Sequence, residues 1–357
     1  MEHFRNDGML DASRTQCNCE SCCAHNMLKL SKGLFQITGK KKYADYYERT
    51  LRNAIMGAIN PQTGATTYFS PMATGYYKVF GKPDPADSMM WCCTGTGMEN
   101  FTKLGDSVYF KDGDTLYVNQ YITSEVLWEE RNMLLKQYAD IEADNKAMFM
   151  IELVGKKQIK EAVFKLRKPD WVKGEVTVAV SGMESTDYCV VEGKDGYLRV
   201  KGMWRHGAVI TIQLPMTVEA IGLPDCDNVL GFRYGVTVLA AKLGKWKMEE
   251  QTWAGIDLSA PAWKFVGGSG VKMDIAYAQT QTGILETELL TLNPGITLIE
   301  FKQNIHEHLL KREGQYGVEF VLKGTNAENI LGHELVFVPY NQITDERYGI
   351  YWYFNAL

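Results

Sequence analysis

The chain has 357 residues, with 38 Lys or Arg against 43 Asp or Glu, for a formal net charge of −5. No basic stripe is present to track a phosphate backbone, which argues against nucleic acid as a partner. No run of roughly eighteen apolar residues is present to span a membrane, and eight cysteines are too few for a disulfide-built scaffold of this length.

Taken in order, residues 1–19 show no periodicity and read as a loop whose polar start does not resemble a signal peptide. A helix is predicted over 22–38, with Cys23, Met27, Leu30 and Leu34 on its apolar face and Gly39 as its stop. A second is predicted over 42–59, burying Tyr43, Tyr46, Leu51, Ala54, Ile55 and Ala58, and ending at Asn60-Pro61. A short strand at 66–69 and a long Gly-, Pro- and Tyr-rich loop over 71–87 follow. The third predicted helix begins after Cys93 and runs to about 110, with Met98, Phe101, Leu104 and Val108 at three- and four-residue spacing.

Beyond Lys111-Asp112-Gly113-Asp114 the pattern becomes short β segments: 116–122, 147–153, 162–166, 176–180, 197–200 and 209–214. After a break at 223–227 a second β region is predicted, with segments at 231–241, 296–301, 317–322, 334–339 and 348–354. The domain division expected from this texture is 1–110, 111–223 and 224–357. The helical part is short for an enclosed substrate cleft, so a truncated helical domain is expected, open on one side.

Six of the eight cysteines fall in two clusters, Cys17-Asn18-Cys19-Glu20-Ser21-Cys22-Cys23 and Cys92-Cys93, about seventy residues apart. Each cluster leads into a predicted helix, whose positive N-terminal end favours a thiolate. A Glu interleaved with clustered thiols suits a metal site, or a reactive thiol in a reducing compartment, and so a cytoplasmic address. Spacing alone favours a zinc staple joining two helices, without chemistry, over a catalytic thiol.

Three stretches carry a family resemblance: Glu20-Ser21-Cys22, Asn26-Met27-Leu28-Lys29-Leu30, and Trp91-Cys92-Cys93-Thr94-Gly95-Thr96-Gly97-Met98-Glu99-Asn100. They resemble the β-L-arabinofuranosidases of glycoside hydrolase families 127 and 146, with looser similarity at 116–128 and 333–352. The resemblance implies an α+β multidomain protein: the C-terminal part of an (α/α)6 catalytic barrel, followed by two β-sandwich domains. It implies a Zn2+ held by Glu20, Cys22, Cys92 and Cys93, with Cys92 as nucleophile. It also implies that Glu2, in the match Glu2-His3-Phe4, is the acid/base. Ser21 stands where Thr is usual, and Cys17, Cys19 and Cys23 are thiols the family does not require.

The function implied is a retaining glycoside hydrolase acting on an oligosaccharide or glycoside with β-linked L-arabinofuranose. Cleavage with retention needs a nucleophile and an acid about 5 to 5.5 Å apart, and a thiolate serves as nucleophile. His3, His25 and Tyr68 are candidate sugar contacts. Two other classes stay open: a non-catalytic zinc-stapled piece with carbohydrate-binding sandwiches, and a polysaccharide lyase, which would not need the Cys/Glu cluster. Nothing in the sequence fixes an oligomeric state.

Overall fold

Helix α1, Ser21–Thr38, starts where the Glu20 carboxylate accepts the Cys23 backbone N–H at 3.1 Å, satisfying one of the donors that a helix start leaves open. It stops at Gly39, whose φ of 62° lets its N–H reach the Phe35 carbonyl at 2.7 Å. The structure, a computed structural model, describes residues 8–11, 14, 18–81, 92–155, 160–245, 263–265, 271–273, 291–314 and 317–355. The buried positions of α1 are Ser21, His25, Leu28, Ser31 and Phe35. The predicted apolar face is therefore corrected, since Cys23 and Leu30 are exposed.

Helix α2, Lys41–Thr50, runs on through a π turn, Leu51–Ile55, and a 3-10 turn, Met56–Ala58. Helix α3, Cys92–Asn100, is followed by a 3-10 turn, Phe101–Lys103. Its predicted continuation to about 110 is absent. Gly105 weakens the helix, Ser107 takes the left-handed φ of 60°, and a strand begins at Tyr109.

The chain forms two compact units: residues 1–27, 49–101 and 218–357 make one, and 28–48 with 102–217 make the other. In the second, ten strands form two five-stranded sheets. They are β1 Tyr109–Asp112, β2 Thr115–Val118, β3 Ser124–Trp128, β4 Met133–Ala139, β5 Lys146–Leu153, β6 Lys160–Arg167, β7 Thr177–Ser181, β8 Tyr188–Glu192, β9 Tyr197–Trp204 and β10 Ala208–Gln213. The sheet orders are β1-β2-β6-β9-β8 and β3-β4-β5-β10-β7. Strand β9 alternates buried and exposed side chains, as a half-covered strand does. The sheets face each other, Trp128 of one meeting Phe164 of the other at 6.4 Å between ring centroids, with Trp204 packed on Phe164.

In the first unit a nine-stranded sheet gathers the C-terminal strands, its centre formed by Cys226–Tyr234, Thr237–Lys242 and Leu335–Pro339. Phe232, Phe301, Phe337 and Phe354 pack around it. The strand expected at 296–301 is instead a helix, Leu298–Gln303, because Thr297 and Glu300 form a reciprocal capping box. The 66–81 segment is anchored on this sheet by two buried basic side chains. Lys78 donates to the carbonyls of Tyr340 and Ile343 at 2.9 and 2.7 Å, and Arg347 donates to the Gly75 carbonyl at 2.8 Å. That anchorage fixes the strip of chain carrying Tyr68.

Candidate metal centre

The site lies where the N-termini of α1 and α3 meet. Ser21 donates its backbone N–H to the Tyr68 carbonyl at 3.2 Å, and Ser70 donates to the Asn18 carbonyl at 2.8 Å, so the chain entering α1 is pinned beside the Tyr68 strip. Cys22 Sγ lies 3.3 Å from Cys93 Sγ and 3.0 Å from Thr96 Oγ1. The Cys93 thiol donates to Glu20 Oε1 at 2.9 Å, and Cys92 Sγ sits 4.0 Å from Cys93 Sγ. Ligand atoms of Glu20, Cys22, Cys92 and Cys93 all lie within 4.8 Å of one another. Three soft thiols and one carboxylate suit a four-coordinate ion of the zinc type, so these four residues could hold one metal ion.

One turn further, His25 Nδ1 meets Asn100 Oδ1 at 2.8 Å. The contacts 22–96 and 25–100 ascend together along both helices, so α1 and α3 run side by side in the same direction. Two positive helix ends therefore converge on the cluster, an arrangement that favours anionic ligands. The fit is close on the α3 side. A Cβ on Gly97 would stand 2.2 Å from Thr66 Oγ1, so only glycine lets the helix approach that far.

Without a metal the Cys22 and Cys93 thiols keep their protons. Burial pushes Cys22 up to about 12, the neighbouring Glu20 carboxylate adding to the rise against the hydrogen bonds from Thr96 and Cys93. Burial raises Cys93 further, and its hydrogen bond to Glu20 acts in the same direction. For Glu20 burial works against the charge, but hydrogen bonds from Cys23, Cys93 and Cys22 outweigh it, so the carboxyl lies below its ordinary value.

Of the residues singled out from the sequence, the structure brings together Glu20, Cys22, Cys92, Cys93 and Tyr68, whose hydroxyl is 3.5 Å from Cys92 Sγ. His25 is nearby but buried, at 2% exposure. Cys19 and Cys23 are exposed. Glu2, His3 and Cys17 lie outside the described residues. Thr96 and Asn100 were not foreseen, although helical spacing from Cys92 and Cys93 could have found both. A cleft of about 610 Å³ beside α3 is lined by Thr94, Gly97 and Phe101, among others, and by none of the four candidate ligand residues. Donor chemistry rather than volume locates the site.

The sequence profile of the GH127 β-L-arabinofuranosidase catalytic domain matches residues 1–106, and that of the GH127 middle domain matches 115–216. The chain belongs to the GH127 β-L-arabinofuranosidase family. No curated protein matches it. Among solved structures it is similar to a GH127 β-arabinofuranosidase, with 19% identity, a TM-score of 0.66, and coverage of 99% of this chain and 51% of that one. A GH127 β-L-arabinofuranosidase from Geobacillus stearothermophilus T6 aligns with 14% identity and a TM-score of 0.61, covering 96% of this chain and 51% of that one. A further glycoside hydrolase aligns with 14% identity and a TM-score of 0.62, covering 96% and 53%. At these identities the likeness is one of fold, and the chain spans about half the length of each structure. A short helical region followed by β-sheet domains makes the GH127 chain an α+β multidomain protein. Among the described residues, no helix is long and apolar enough to cross a membrane.

Proposed function

We propose that this chain carries the nucleophile of a retaining glycoside hydrolase that releases β-linked L-arabinofuranose, with Cys92 in that role. The observation that supports it is exposure. Cys92 is the one open thiol of the cluster, whereas Cys93 is buried and Cys22 half-buried. Glu20, Cys22, Cys92 and Cys93 would hold Zn2+, whose chemical contribution is to keep a thiolate at neutral pH. Cys92 Sγ forms a bond to the anomeric carbon as the glycosidic C–O bond breaks, and Glu2 gives its proton to the leaving oxygen. The Glu2 carboxylate then takes a proton from water as that water attacks the same carbon, the C–S bond breaks, and the sugar leaves with its configuration retained. Tyr68, beside Cys92 on an anchored strip, and His3 contact the sugar.

The test is covalent trapping with an epoxide in the L-arabinofuranose configuration, followed by peptide mass spectrometry. The expected result is label on Cys92, absent from Cys92→Ser. Label on a carboxylate such as Glu20 or Glu99, or the same labelling in Cys92→Ser, overturns the assignment.

A further inference from the structure

Four residues supply the ligand atoms, but they come as two pairs on two helices. Glu20 and Cys22 belong to the start of α1, and Cys92 and Cys93 to the start of α3. A thiol cluster of this kind is only as well formed as the register between those helices. Hydrogen bonds within the cluster do not set that register, because metal binding replaces them. The pairing further along the helices is a constraint that metal binding leaves in place.

We propose that His25 and Asn100 are positioning residues: a buried clasp that holds α1 and α3 in the register which brings Glu20/Cys22 and Cys92/Cys93 together as one metal site. The proposal rests on the metal reading above. His25 is 2% exposed and Asn100 0%, and their polar atoms meet at 2.8 Å across 75 residues of sequence. His25 stands three residues beyond Cys22, about 4.5 Å along α1, and Asn100 seven residues beyond Cys93, about 10 Å along α3. A slip at the clasp is therefore carried to the thiols along short, hydrogen-bonded helix.

The chemistry of the pair suits a lock. An amide can meet Nδ1 with its oxygen or with its NH2, so the contact survives in either imidazole tautomer. Asn100 Nδ2 has no hydrogen-bond partner among the described residues, which leaves His25 as the side-chain partner of this buried amide. His25 Nε2 lies 3.2 Å from Glu99 Oε2 without a hydrogen bond between them, so the clasp itself is the Nδ1 contact to Asn100. With Nδ1 engaged and the ring buried, His25 is not placed as a fifth ligand. Two polar groups buried against each other are costly unless paired, and that cost penalises any other register.

The test uses the 357-residue chain and Co2+ alone as probe, read by the thiolate-to-cobalt absorption bands and by competition for affinity. His25→Ala and Asn100→Ala are expected to bind Co2+ about 10–100-fold more weakly with altered bands, the size typical when the support of a ligand shell is removed. The double variant is expected to be little worse than either single one, because each breaks the same pair. His25→Gln, which keeps a donor and an acceptor, should recover part of the affinity. If His25→Ala fails to fold by circular dichroism, His25→Gln and Asn100→Ser decide. Wild-type affinity and bands in the folded variants, or fully additive losses, overturn the clasp while leaving the metal site standing. A wild-type chain that takes up no Co2+ or Zn2+ overturns the metal reading, and the clasp with it.

Discussion

Cys22 and Cys93 sit 3.3 Å apart with protons that burial keeps in place at neutral pH. A metal takes thiolates, so loading the site must expel those protons. Uptake of one Zn2+ at pH 7 should therefore release about two protons from this pair. Glu20 contributes none, since its carboxyl lies below its ordinary value and is already ionised there. Protons compete with the metal for the thiols, whose folded values are raised, so apparent affinity should climb as pH rises through the neutral range and fall in mild acid. Adding Zn2+ to weakly buffered protein with an indicator dye counts the protons directly. Binding without release, or affinity flat with pH, would show that the thiols are not the ligands. The candidate ligand residues were legible because Cys and Glu at short spacing carry their chemistry in their names. The pairing of His25 with Asn100 was not, because a buried polar pair looks in sequence like two surface residues.

At the level of elements, α1 shows why the reading of faces failed there. Its inner positions, Ser21, His25, Leu28, Ser31 and Phe35, keep helical spacing, but three of the five are polar. An apolar stripe drawn through Cys23, Met27, Leu30 and Leu34 therefore followed the wrong side. The helix at Leu298–Gln303 was missed for a different reason: Ile296, Leu298 and Ile299 suit a strand, while the Thr297/Glu300 box that decides the matter is a two-residue signal. Helix α3 was legible in its start and not in its end, since apolar spacing persists past Gly105 while the backbone does not. Its interior glycine gives a sharp test. Gly97→Ala places a methyl 2.2 Å from Thr66 Oγ1 and 3.0 Å from Thr66 Cβ and Cγ2, and overpacking of this kind costs roughly 1–3 kcal/mol. The loss should appear in urea unfolding, together with weaker metal uptake. Thr66→Ala should restore much of it by removing Oγ1 and Cγ2. An unchanged midpoint in Gly97→Ala would mean that α3 is not seated as described.

For the molecule as a whole, the telling fact is that its compact units are interleaved along the chain, so the second β-rich unit includes residues 28–48 as well as 102–217. Those early residues complete its core. Phe35 and Ala44 cluster with Tyr197, and Arg167, fully buried in the sandwich, pairs with Asp45 at 2.5 Å and Glu48 at 2.7 Å. Trp171 donates to the same Glu48 at 2.8 Å, and Asn119 accepts from Arg167 through its carbonyl at 2.6 Å. A segment of 102–217 expressed alone would keep every strand of the sandwich and lose both partners of a buried guanidinium. Stranding such a charge costs roughly 3–5 kcal/mol. The isolated segment should therefore unfold at much lower urea than the same segment tethered to 28–48 by a flexible linker. Arg167→Met should separate the two contributions. In the isolated segment it should recover stability, because no charge is left unpaired, whereas in the tethered form it should recover little or cost some, because Glu48 then loses its cation and Asp45 keeps only Lys41. Equal stability of the isolated and tethered forms would show that 28–48 merely rests on the sandwich, and that the sheets alone hold Arg167.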